Sequence, residues 1–287
     1  MSRSCDLRRT GVVGWPIAHS RSPLIHQHWL RRFGIAGVYE RFAIPPSEFA
    51  RFASGIGSQG LVGSNVTAPH KEAAFAACDR RTPAAEALGA VNTLWREGPF
   101  LWGDNTDVEG FLANMDEASP GWAEGSRFAV VLGAGGAARA IVHALISRRV
   151  DRIAIVNRTR ARADTLAELF GRSVTAVHWG GLSSELSRAD LLVNASSLGM
   201  LGQAPLDIDL SVVPGHAVVA DIVYVPLRTP LVEAARARGL RTVEGLGMLL
   251  HQAVPGFERW YGRRPEVTAE LRRLIEADVL EPHKEGR

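Results

Sequence analysis

A continuous apolar segment, followed by a glycine-rich turn and a helical segment, most strongly constrains how this chain can fold. Phe128–Leu132 is apolar at every position, as expected for a strand buried on both faces of a sheet. Glycines crowd 133–136, a helical pattern covers 137–148, and a second apolar strand covers 152–156. Further strands are predicted at 191–195 and 217–224. This succession predicts a doubly wound parallel sheet of the dinucleotide-binding, or Rossmann, type.

The turn at 133–136 has the features of a pyrophosphate-binding site. Its three glycines lie between a predicted strand and a predicted helix. Ala138 stands where the third glycine of a G-x-G-x-x-G pattern is usual. Glycines permit the tight turn and let backbone N–H groups approach phosphates at the positive end of the helix. The pattern favours a bound dinucleotide over a purely structural turn.

The residues after the second Rossmann strand discriminate between the two nicotinamide cofactors. An NAD site usually has Asp or Glu here, which accepts a hydrogen bond from the ribose 2′-OH. This chain instead has amide, hydroxyl and guanidinium groups: Asn157, Arg158, Thr159, Arg160 and Arg162. Guanidinium groups match phosphate in charge and in bidentate geometry, so the sequence predicts NADP. Arg160 alone is expected to solvate the next helix.

The first hundred residues also alternate strand and helix signals, which predicts a second, mostly parallel α/β domain. Ser22 and Ser47 are predicted to cap the first two helices. Residues 91–95 and 100–103 are predicted to form a hairpin. Together with the Rossmann segment, this pattern predicts an α/β protein of two different domains.

At 287 residues the chain is long enough for two domains. We expect a substrate-binding and catalytic domain over 1–110, completed by C-terminal helices within 247–287. A Rossmann NADP-binding domain is expected over 111–246. Linkers are predicted near 115–126 and near Val243.

Charge and hydropathy limit the partners and the compartment. Basic residues number 33 and acidic residues 30, the formal net charge is +3, and no basic run exceeds two residues. A face that binds nucleic acid usually shows a basic cluster, so we expect no nucleic-acid partner. No apolar segment is long enough to cross a membrane, and the first residues lack the apolar core of a signal peptide. We therefore expect a soluble, cytoplasmic protein with no membrane partner.

Cysteine and histidine positions argue against a disulfide framework and a metal site. Cys5 and Cys78 are the two cysteines, which favours a reducing compartment. His26 and His28 are two apart on a predicted helix and so point to different faces. We expect no metal.

Lysine is rare enough here for its position to be informative. Lys71 and Lys284 are the only lysines among the 33 basic residues, and the rest are arginine. Lys284 lies in a polar tail, whereas Lys71 lies inside a patterned segment. Lys can give up its proton in a protein and Arg cannot, so Lys71 is a candidate titrating amine. On the count alone, a chance surface lysine explains the observation equally well.

Polar loops follow several predicted strands of the first domain, at the positions where open α/β sheets bind ligands. They carry hydroxyls, amides, one amine and one carboxylate, which suits a small polyhydroxylated ligand. A helix cap or a turn would explain one such loop, but explains all of them poorly. The loops cover 14–23, 64–71, 89–93 and 103–107.

These loops, in this order, resemble those of the shikimate dehydrogenase family. The resemblance runs from about residue 12 to about residue 262. NVTAPHK and GDNTD are its specific segments, because glutamyl-tRNA reductases carry a similar glycine turn followed by NRT. Family members often have Gly after NTD, and this chain has Val108. The resembling segments are GWPIAHSRSPLIH, GSNVTAPHKEAA, GAVNTL, GDNTD, VLGAGGAARA, NRTRARA, VNASSLGM, DIVYVPLRTPL and GLGMLLHQA.

The resemblance implies an activity and a role for each matching residue. Family members use NADPH to reduce 3-dehydroshikimate to shikimate, on the route to chorismate and the aromatic amino acids. The implied catalytic pair is Lys71 and Asp107. The implied substrate ligands are Ser20, Ser22, Thr67, Asn92 and Gln252. The implied cofactor-binding residues are Gly133, Gly135, Gly136, Ala137, Asn157, Arg158, Thr159, Arg162, Ser196, Tyr224, Gly247 and Met248.

This reaction gives the rare lysine a role. A ketone that accepts hydride develops negative charge on its oxygen, and a positioned ammonium group stabilises that charge and donates the proton. In the reverse direction a neutral amine takes the proton of the alcohol, which Arg could not do. The resemblance therefore favours a catalytic Lys71, with Asp107 orienting the amine.

Other functions are compatible with parts of this pattern. A quinate/shikimate or an aminoshikimate dehydrogenase would share these segments, and Ser20 and Ser22 suit shikimate and quinate alike. The missing acid after the second Rossmann strand argues against an NAD-dependent quinate enzyme. A non-catalytic NADP-binding paralogue would not need Lys71 and Asp107. The sequence is compatible with a monomer and with a homodimer.

Overall fold

The computed structural model describes residues 7–58 and 60–281, so Cys5 and Lys284 lie outside the described residues. Its internal contacts divide the chain into two compact units. The first unit contains the residues up to Thr106 together with Gln252–Ile275. The second unit contains Asp107–His251 together with the residues from Glu276.

The first unit is built on a six-stranded sheet. Its strands are β1 (Arg8–Gly14), β2 (Gly37–Ala43), β3 (Gly63–Val66), β4 (Arg80–Arg81), β5 (Thr93–Glu97) and β6 (Phe100–Asp104). The helices between these strands are α1 (Ser22–Phe33), α2 (Phe49–Gly55), α3 (Lys71–Ala77) and α4 (Pro83–Leu88). The strand order is β2-β1-β3-β5-β6-β4, and β5 alone runs antiparallel to both of its neighbours. The mostly parallel α/β domain and the β5–β6 hairpin are therefore confirmed.

Helix α1 shows how apolar spacing and a terminal glycine define one element. Ile25 and Trp29 lie four residues apart, and both side chains are fully buried, as expected for the apolar face of a helix. Gly34 ends the helix in the left-handed conformation, with φ of +60°. A residue with a side chain would be strained there, so glycine is the favoured end of this helix.

The two predicted serine caps are wrong. Arg21 is the N-cap residue of α1, with no capping hydrogen bond from a side chain, and Ser22 is already inside the helix. Ser47 lies inside a short 3₁₀ turn, Pro46–Glu48, that precedes α2. An N-cap hydroxyl acts from the residue just outside the first turn, and neither serine occupies that position.

The core of the first unit encloses the one cysteine among the described residues. Cys78 is 4% exposed and packs with apolar side chains such as Leu94 and Leu101. A Cβ atom added at Gly103 would lie 2.5 Å from the Cys78 Sγ atom, so the sulfur needs glycine opposite it. Burial raises the pKa of the Cys78 thiol to about 12, which keeps it protonated at neutral pH.

The second unit is built on a six-stranded sheet whose neighbouring strands are all parallel. Its strands are β7 (Phe128–Leu132), β8 (Arg152–Val156), β9 (Val174–Val177), β10 (Leu191–Asn194), β11 (Val218–Asp221) and β12 (Arg241–Val243). Its helices are α5 (Asp107–Ala118), α6 (Gly136–Ser147), α7 (Arg160–Phe170), α8 (Leu182–Leu186) and α9 (Pro230–Ala237). The strand order β12-β11-β10-β7-β8-β9 is doubly wound, which confirms the Rossmann prediction.

Strand β7 explains why a continuous apolar run predicted this sheet. Phe128, Val130 and Leu132 pack into one hydrophobic cluster, and Ala129 and Val131 pack into another. All five side chains are 8% exposed or less. Successive side chains of a strand point to opposite faces, so both faces of the sheet are covered.

Two further helices complete the chain: α10 (Leu246–Tyr261) and α11 (Ala269–Leu280). The division between the units falls within each of them, after His251 and after Ile275. Across residues 7–58 and 60–281, no helix combines the length and the hydropathy needed to span a bilayer.

Neither predicted linker is a linker. Met115 lies in α5 and is fully buried, and the Trp122 side chain is 1% exposed. The Trp122 Nε1 atom donates a hydrogen bond to Asp116 Oδ1 at 2.8 Å. Val243 is a buried residue of β12. The Pro and Gly residues near 120 mark only the turn after α5, and the apolar side chains around them pack into the core.

Candidate active site

The loop after β1, residues 15–21, carries the implied substrate ligand Ser20, and the implied ligand Ser22 begins the next helix, α1. The Ser20 carbonyl oxygen accepts hydrogen bonds from Arg41 Nε at 3.0 Å and Arg41 Nη2 at 2.6 Å. The backbone N–H of Ser22 donates to Ser20 Oγ at 3.4 Å. The structure therefore brings the two predicted serines together at the carboxyl end of β1. Ser20 is half-buried and Ser22 is buried.

A polar network links the other implied substrate ligands. Asn92 is 2% exposed, and its Oδ1 atom accepts hydrogen bonds from the Thr106 amide at 2.9 Å and from Thr93 Oγ1 at 2.9 Å. Thr106 Oγ1 donates to the Gln252 carbonyl oxygen at 2.8 Å. The amide of Val66 donates to the Asn92 carbonyl oxygen at 2.7 Å, which places Thr67 beside this network. Asn92, Gln252 and Thr67 are thus brought together within the first unit.

A buried pair behind this network was missed by the sequence analysis. Tyr39 Oη donates to Asn65 Oδ1 at 2.6 Å, and Asn65 Nδ2 donates to Thr93 Oγ1 at 3.1 Å. Burial raises the pKa of Tyr39 well above its usual value, so the phenol stays neutral. The signal for Asn65 was its position in the NVT segment, two residues before the predicted Thr67. The pair fixes the side chain of Thr93 and, through it, that of Asn92.

Lys71 is the first residue of α3 and is half-buried. Its carbonyl oxygen accepts a hydrogen bond from the Val91 amide at 2.9 Å, which ties the start of the helix to the segment that carries Asn92. Asp107 is the first residue of α5 and is 7% exposed. Lys71 belongs to the first unit and Asp107 to the second, so their pairing stays a prediction. Val108 continues the α5 helix, so the absence of Gly there causes no backbone conflict.

The glycine turn after β7 has the shape that a pyrophosphate site needs. Gly133 has φ of +110°, and a Cβ atom added there would lie 2.9 Å from the carbonyl carbon of Ala195. Gly135 is the N-cap residue of the 12-residue helix α6, and no side chain caps that end. Gly135 and Gly136 are exposed, with no atom within 4 Å of an added Cβ. Backbone N–H groups therefore face open space at the positive end of α6, with half-buried Ala137 beside them.

The arginines after β8 divide into two kinds. Arg160 Nε pairs with Asp164 Oδ1 at 2.8 Å, one turn along α7, as expected for a residue that serves its own helix. Arg158 and Arg162 are exposed, and neither guanidinium group has a hydrogen bond or ion pair with another described residue. Asn157 Nδ2 donates to the Thr159 carbonyl oxygen at 2.8 Å, which shapes the turn between them. This turn contains no acidic residue, and the guanidinium groups of Arg158 and Arg162 can bind a ligand. It therefore fits an adenosine 2′-phosphate.

The remaining implied cofactor residues follow β10, β11 and β12. Ser196 lies beside the glycine turn, since its amide nitrogen is 3.1 Å from a Cβ added at Gly133. Tyr224 follows β11 and is half-buried. Gly247 and Met248 lie in the first turn of α10, and both are buried. Met248 also packs into the core of the second unit.

Comparisons with known proteins agree with both units. Family models match residues 12–94 (Shikimate dehydrogenase substrate binding domain), 123–200 (Shikimate / quinate 5-dehydrogenase) and 245–271 (Shikimate 5'-dehydrogenase C-terminal domain). A Methylocella silvestris protein named Shikimate dehydrogenase (NADP(+)) is 58% identical over 271 residues, which are 94% of this chain and 96% of that protein. The chain belongs to the shikimate dehydrogenase family.

Solved structures of the shikimate dehydrogenase family and of a quinate dehydrogenase resemble the whole chain. Shikimate 5-dehydrogenase from Thermus thermophilus, in complex with NADP(H) and shikimate, has a TM-score of 0.85 and 34% identity, covering 96% of this chain and 100% of that one. Quinate dehydrogenase from Corynebacterium glutamicum, in complex with NAD, has a TM-score of 0.86 and 31% identity, covering 95% and 99%. Fold similarity alone therefore does not separate shikimate from quinate or NADP from NAD.

Within this shikimate dehydrogenase family member, the sequence analysis missed a second buried group, next to Ser196. Asp221 at the end of β11 is 2% exposed and accepts hydrogen bonds from Asn194 Nδ2 at 2.9 Å and from Thr229 Oγ1 at 2.7 Å. Asn194 Oδ1 in turn accepts from Ser196 Oγ at 2.7 Å. A polar residue that ends an otherwise apolar strand was the available signal, as in LLVN and VVAD.

Proposed function

We propose that this protein catalyses the NADPH-dependent, reversible reduction of 3-dehydroshikimate to shikimate in chorismate biosynthesis. The observation that carries the choice of cofactor is the turn after β8, where exposed Arg158 and Arg162 have no partner among the described residues and no acid follows the strand. The polar loops of the first unit support a small polyhydroxylated substrate. The 58% identity to a protein named Shikimate dehydrogenase (NADP(+)) supports the same reaction.

We assign substrate binding and catalysis to residues 1–110 with 247–287, and NADP binding to residues 111–246. Ser20 and Ser22 are proposed to bind the carboxylate, because their hydroxyls and amides gather at one loop. Hydroxyl groups of the ring are proposed to bind Thr67, Asn92 and Gln252. Asn92 Oδ1 and the Gln252 carbonyl oxygen both accept from Thr106. Val66, next to Thr67, donates its amide to the Asn92 carbonyl oxygen.

The proposed chemistry assigns the proton to Lys71. Bound NADPH supplies a hydride to the ketone carbon. The Lys71 ammonium group stabilises the negative charge that develops on the ketone oxygen and donates a proton to it, which yields the secondary alcohol. In the reverse direction the neutral amine of Lys71 accepts the proton of the hydroxyl. Asp107 orients the amine in both directions.

The cofactor is proposed to bind through the groups that line the two turns of the second unit. Its pyrophosphate accepts hydrogen bonds from the backbone at Gly133, Gly135, Gly136 and Ala137. Its 2′-phosphate binds Asn157, Arg158, Thr159 and Arg162. Ser196, Tyr224, Gly247 and Met248 would hold its nicotinamide half.

The scarcity of cysteine leads us to place the reaction in the cytoplasm. We expect the protein to act on a small molecule as a monomer or a homodimer, without nucleic acid. Sedimentation velocity of the purified protein, with and without NADP+, would distinguish the two assemblies.

The experiment that tests the function is a set of initial rates with shikimate or quinate, each with NADP+ or NAD+. Rapid reduction of NADP+ with shikimate, and slow reduction in the other three combinations, is the expected result. Comparable rates with quinate or a preference for NAD+ would assign the protein to quinate catabolism instead. No rate with any pair would leave an aminoshikimate dehydrogenase or a non-catalytic NADP-binding protein.

A further inference from the structure

A chain of buried polar groups crosses the carboxyl ends of β10 and β11 in the second unit. Thr229 Oγ1 donates to Asp221 Oδ2 at 2.7 Å, and Asn194 Nδ2 donates to Asp221 Oδ1 at 2.9 Å. The amide of Val223 also donates to Asp221 Oδ1, at 3.0 Å. Asn194, Asp221 and Thr229 are each 2% exposed or less. The carboxylate therefore joins three segments that follow or end two adjacent strands.

The hydrogen bonds that link these polar groups have a defined donor-to-acceptor direction. An ionised carboxylate only accepts hydrogen bonds, so Asn194 must turn its NH₂ group towards Asp221. The Asn194 Oδ1 atom then faces Ser196 and accepts from its amide at 3.1 Å and its hydroxyl at 2.7 Å. The Ser196 hydroxyl also accepts from the Leu198 amide at 3.2 Å. The Leu198 carbonyl oxygen also accepts from Asn194 Nδ2, at 3.1 Å. Asp221 and Leu198 together therefore orient the Asn194 amide and, through it, the Ser196 hydroxyl.

Keeping this carboxylate costs stability. Burial raises the pKa of Asp221 from its usual value to about 6, although hydrogen bonds from Thr229, Val223 and Asn194 act in the opposite direction. All three donors are neutral, so no opposite charge offsets the burial. A structural acceptor at this place would not need to be ionisable, because an amide side chain could accept hydrogen bonds without the cost of a buried charge. The position therefore calls for a reason other than stability.

We propose that Asp221 is a positioning residue for the nicotinamide half of the cofactor site. Through Asn194 it holds the Ser196 hydroxyl and the start of the 195–199 loop, and through the Val223 amide it holds the segment that carries Tyr224. It touches neither cofactor nor substrate. The inference rests on the proposed function for the assignment of Ser196 and Tyr224 to the nicotinamide half.

The test compares two ligands of the same site. NADP+ contains the nicotinamide half, whereas 2′,5′-ADP contains only the adenosine half with its 2′-phosphate. In Asp221→Asn a neutral amide replaces the charged acceptor, which weakens the hydrogen bonds that Asn194, Thr229 and the Val223 amide donate to this side chain. We expect the Kd of NADP+, measured by isothermal titration calorimetry, to rise about tenfold, the loss of one to two hydrogen bonds. The Kd of 2′,5′-ADP should change by less than about twofold.

The matched control is Asp190→Asn, which makes the same chemical change at the opposite end of the same sheet and is expected to alter neither Kd. Asn194→Ala is a second variant in case Asp221→Asn fails to fold, and it should show the same selective loss. Unchanged NADP+ binding in both folded variants would overturn the proposal. So would an equal loss for both ligands, which is the result of a merely structural role.

The test also separates this proposal from the proposed function. If the wild-type protein reduces NADP+ with shikimate and the variants keep the wild-type ratio of the two Kd values, only the positioning role fails. If the wild-type protein binds NADP+ but turns over no shikimate, the proposed reaction fails. The ratio of the two Kd values in Asp221→Asn then still decides the positioning role.

Discussion

Two aspartates at opposite ends of the second sheet have opposite environments. Asp190 precedes β10, and its Oδ2 atom accepts hydrogen bonds from the amides of Arg127 at 2.9 Å and Phe128 at 2.8 Å. Its Oδ1 atom lies 2.9 Å from His216 Nε2. Asp221 ends β11 and receives neutral donors only. Asp190 therefore connects segments at the amino end of the sheet, and Asp221 connects segments at its carboxyl end.

The pKa values of the two groups move in opposite directions. Partial burial alone would raise the pKa of Asp190, but the hydrogen bonds from His216 and from the two amides outweigh it, and the net pKa lies below its usual value. Burial raises the pKa of Asp221 to about 6. Ionised Asp190 therefore stabilises the fold, and ionised Asp221 destabilises it. The carboxylate at the amino end of this sheet therefore adds to stability, whereas the buried one at the carboxyl end lowers it.

The same distinction should hold in the first sheet, where Lys71 follows the carboxyl end of β3. We expect Lys71→Ala to lower kcat by about 10²- to 10⁴-fold, the usual contribution of a general acid. KM for shikimate should change little, since the other ligands remain. Lys71→Arg is the matched variant, because Arg keeps the charge but cannot accept the proton when shikimate is oxidised. Initial rates near those of the wild type in either variant would remove Lys71 from the mechanism.

The arginines after β8 test whether the carboxyl end of the second sheet selects the cofactor. Replacing both Arg158 and Arg162 by Ala should raise KM for NADP+ by about 10- to 100-fold, since two charge-assisted contacts are lost. KM for NAD+ should stay near its starting value, because NAD+ has no 2′-phosphate. Arg160→Ala is the control and should change KM for NADP+ by less than about twofold, since its partner is Asp164. If Arg160→Ala raised KM for NADP+ as much as the double variant does, the distinction between Arg160 and the other two arginines would be wrong.

Stability as a function of pH should reveal the cost of Asp221. A group whose pKa is raised on folding contributes stability that is complete below its unfolded pKa and is lost as the pH rises through its folded pKa. The free energy of unfolding of the wild type should therefore fall relative to that of Asp221→Asn between pH 4 and pH 7, by about 2 kcal/mol. Urea denaturation of both proteins at several pH values measures this difference. The same pH dependence of the free energy of unfolding in both proteins would mean that burial does not destabilise ionised Asp221.

Asp190 should give the smallest effect, with the opposite sign. Its lowered pKa means that its contribution is present above the usual pKa of an aspartate and is lost as the pH falls through the folded value. Asp190→Asn should lower the free energy of unfolding at pH 7 by about 1 kcal/mol, because part of the hydrogen bonding survives and the site is partly solvated. The difference should shrink towards pH 3. A loss that grows on acidification would reverse the comparison.

The sequence predicted those parts of the molecule that depend on local pattern. FAVVL predicted a doubly buried strand, and the glycines after it predicted a tight turn before a helix, which the structure has. The same local reasoning misplaced Ser22, because a hydroxyl before a proline resembles an N-cap whether or not the helix has already begun. It also mistook 115–126 for a linker, because the burial of Trp122 depends on distant residues of the core.

The positioning role of Asp221 could not be predicted from the sequence, for a related reason. Its partners Asn194 and Thr229 are 27 and 8 residues away in sequence. Asn194 becomes a neighbour only because β10 and β11 pair in parallel, in a register that aligns Asn194 with Asp221. A strand that ends in a polar residue is common, and only the register shows that two such ends meet.

The burial of Cys78 has a practical consequence for chemical labelling. A thiol with a pKa of about 12 and 4% exposure reacts slowly with maleimides, which need an accessible thiolate. With Cys5 replaced by Ser, a single cysteine introduced beside Arg158 would be the one reactive thiol of the protein. A fluorophore attached to that cysteine would report the binding of a 2′-phosphate as a change in its emission.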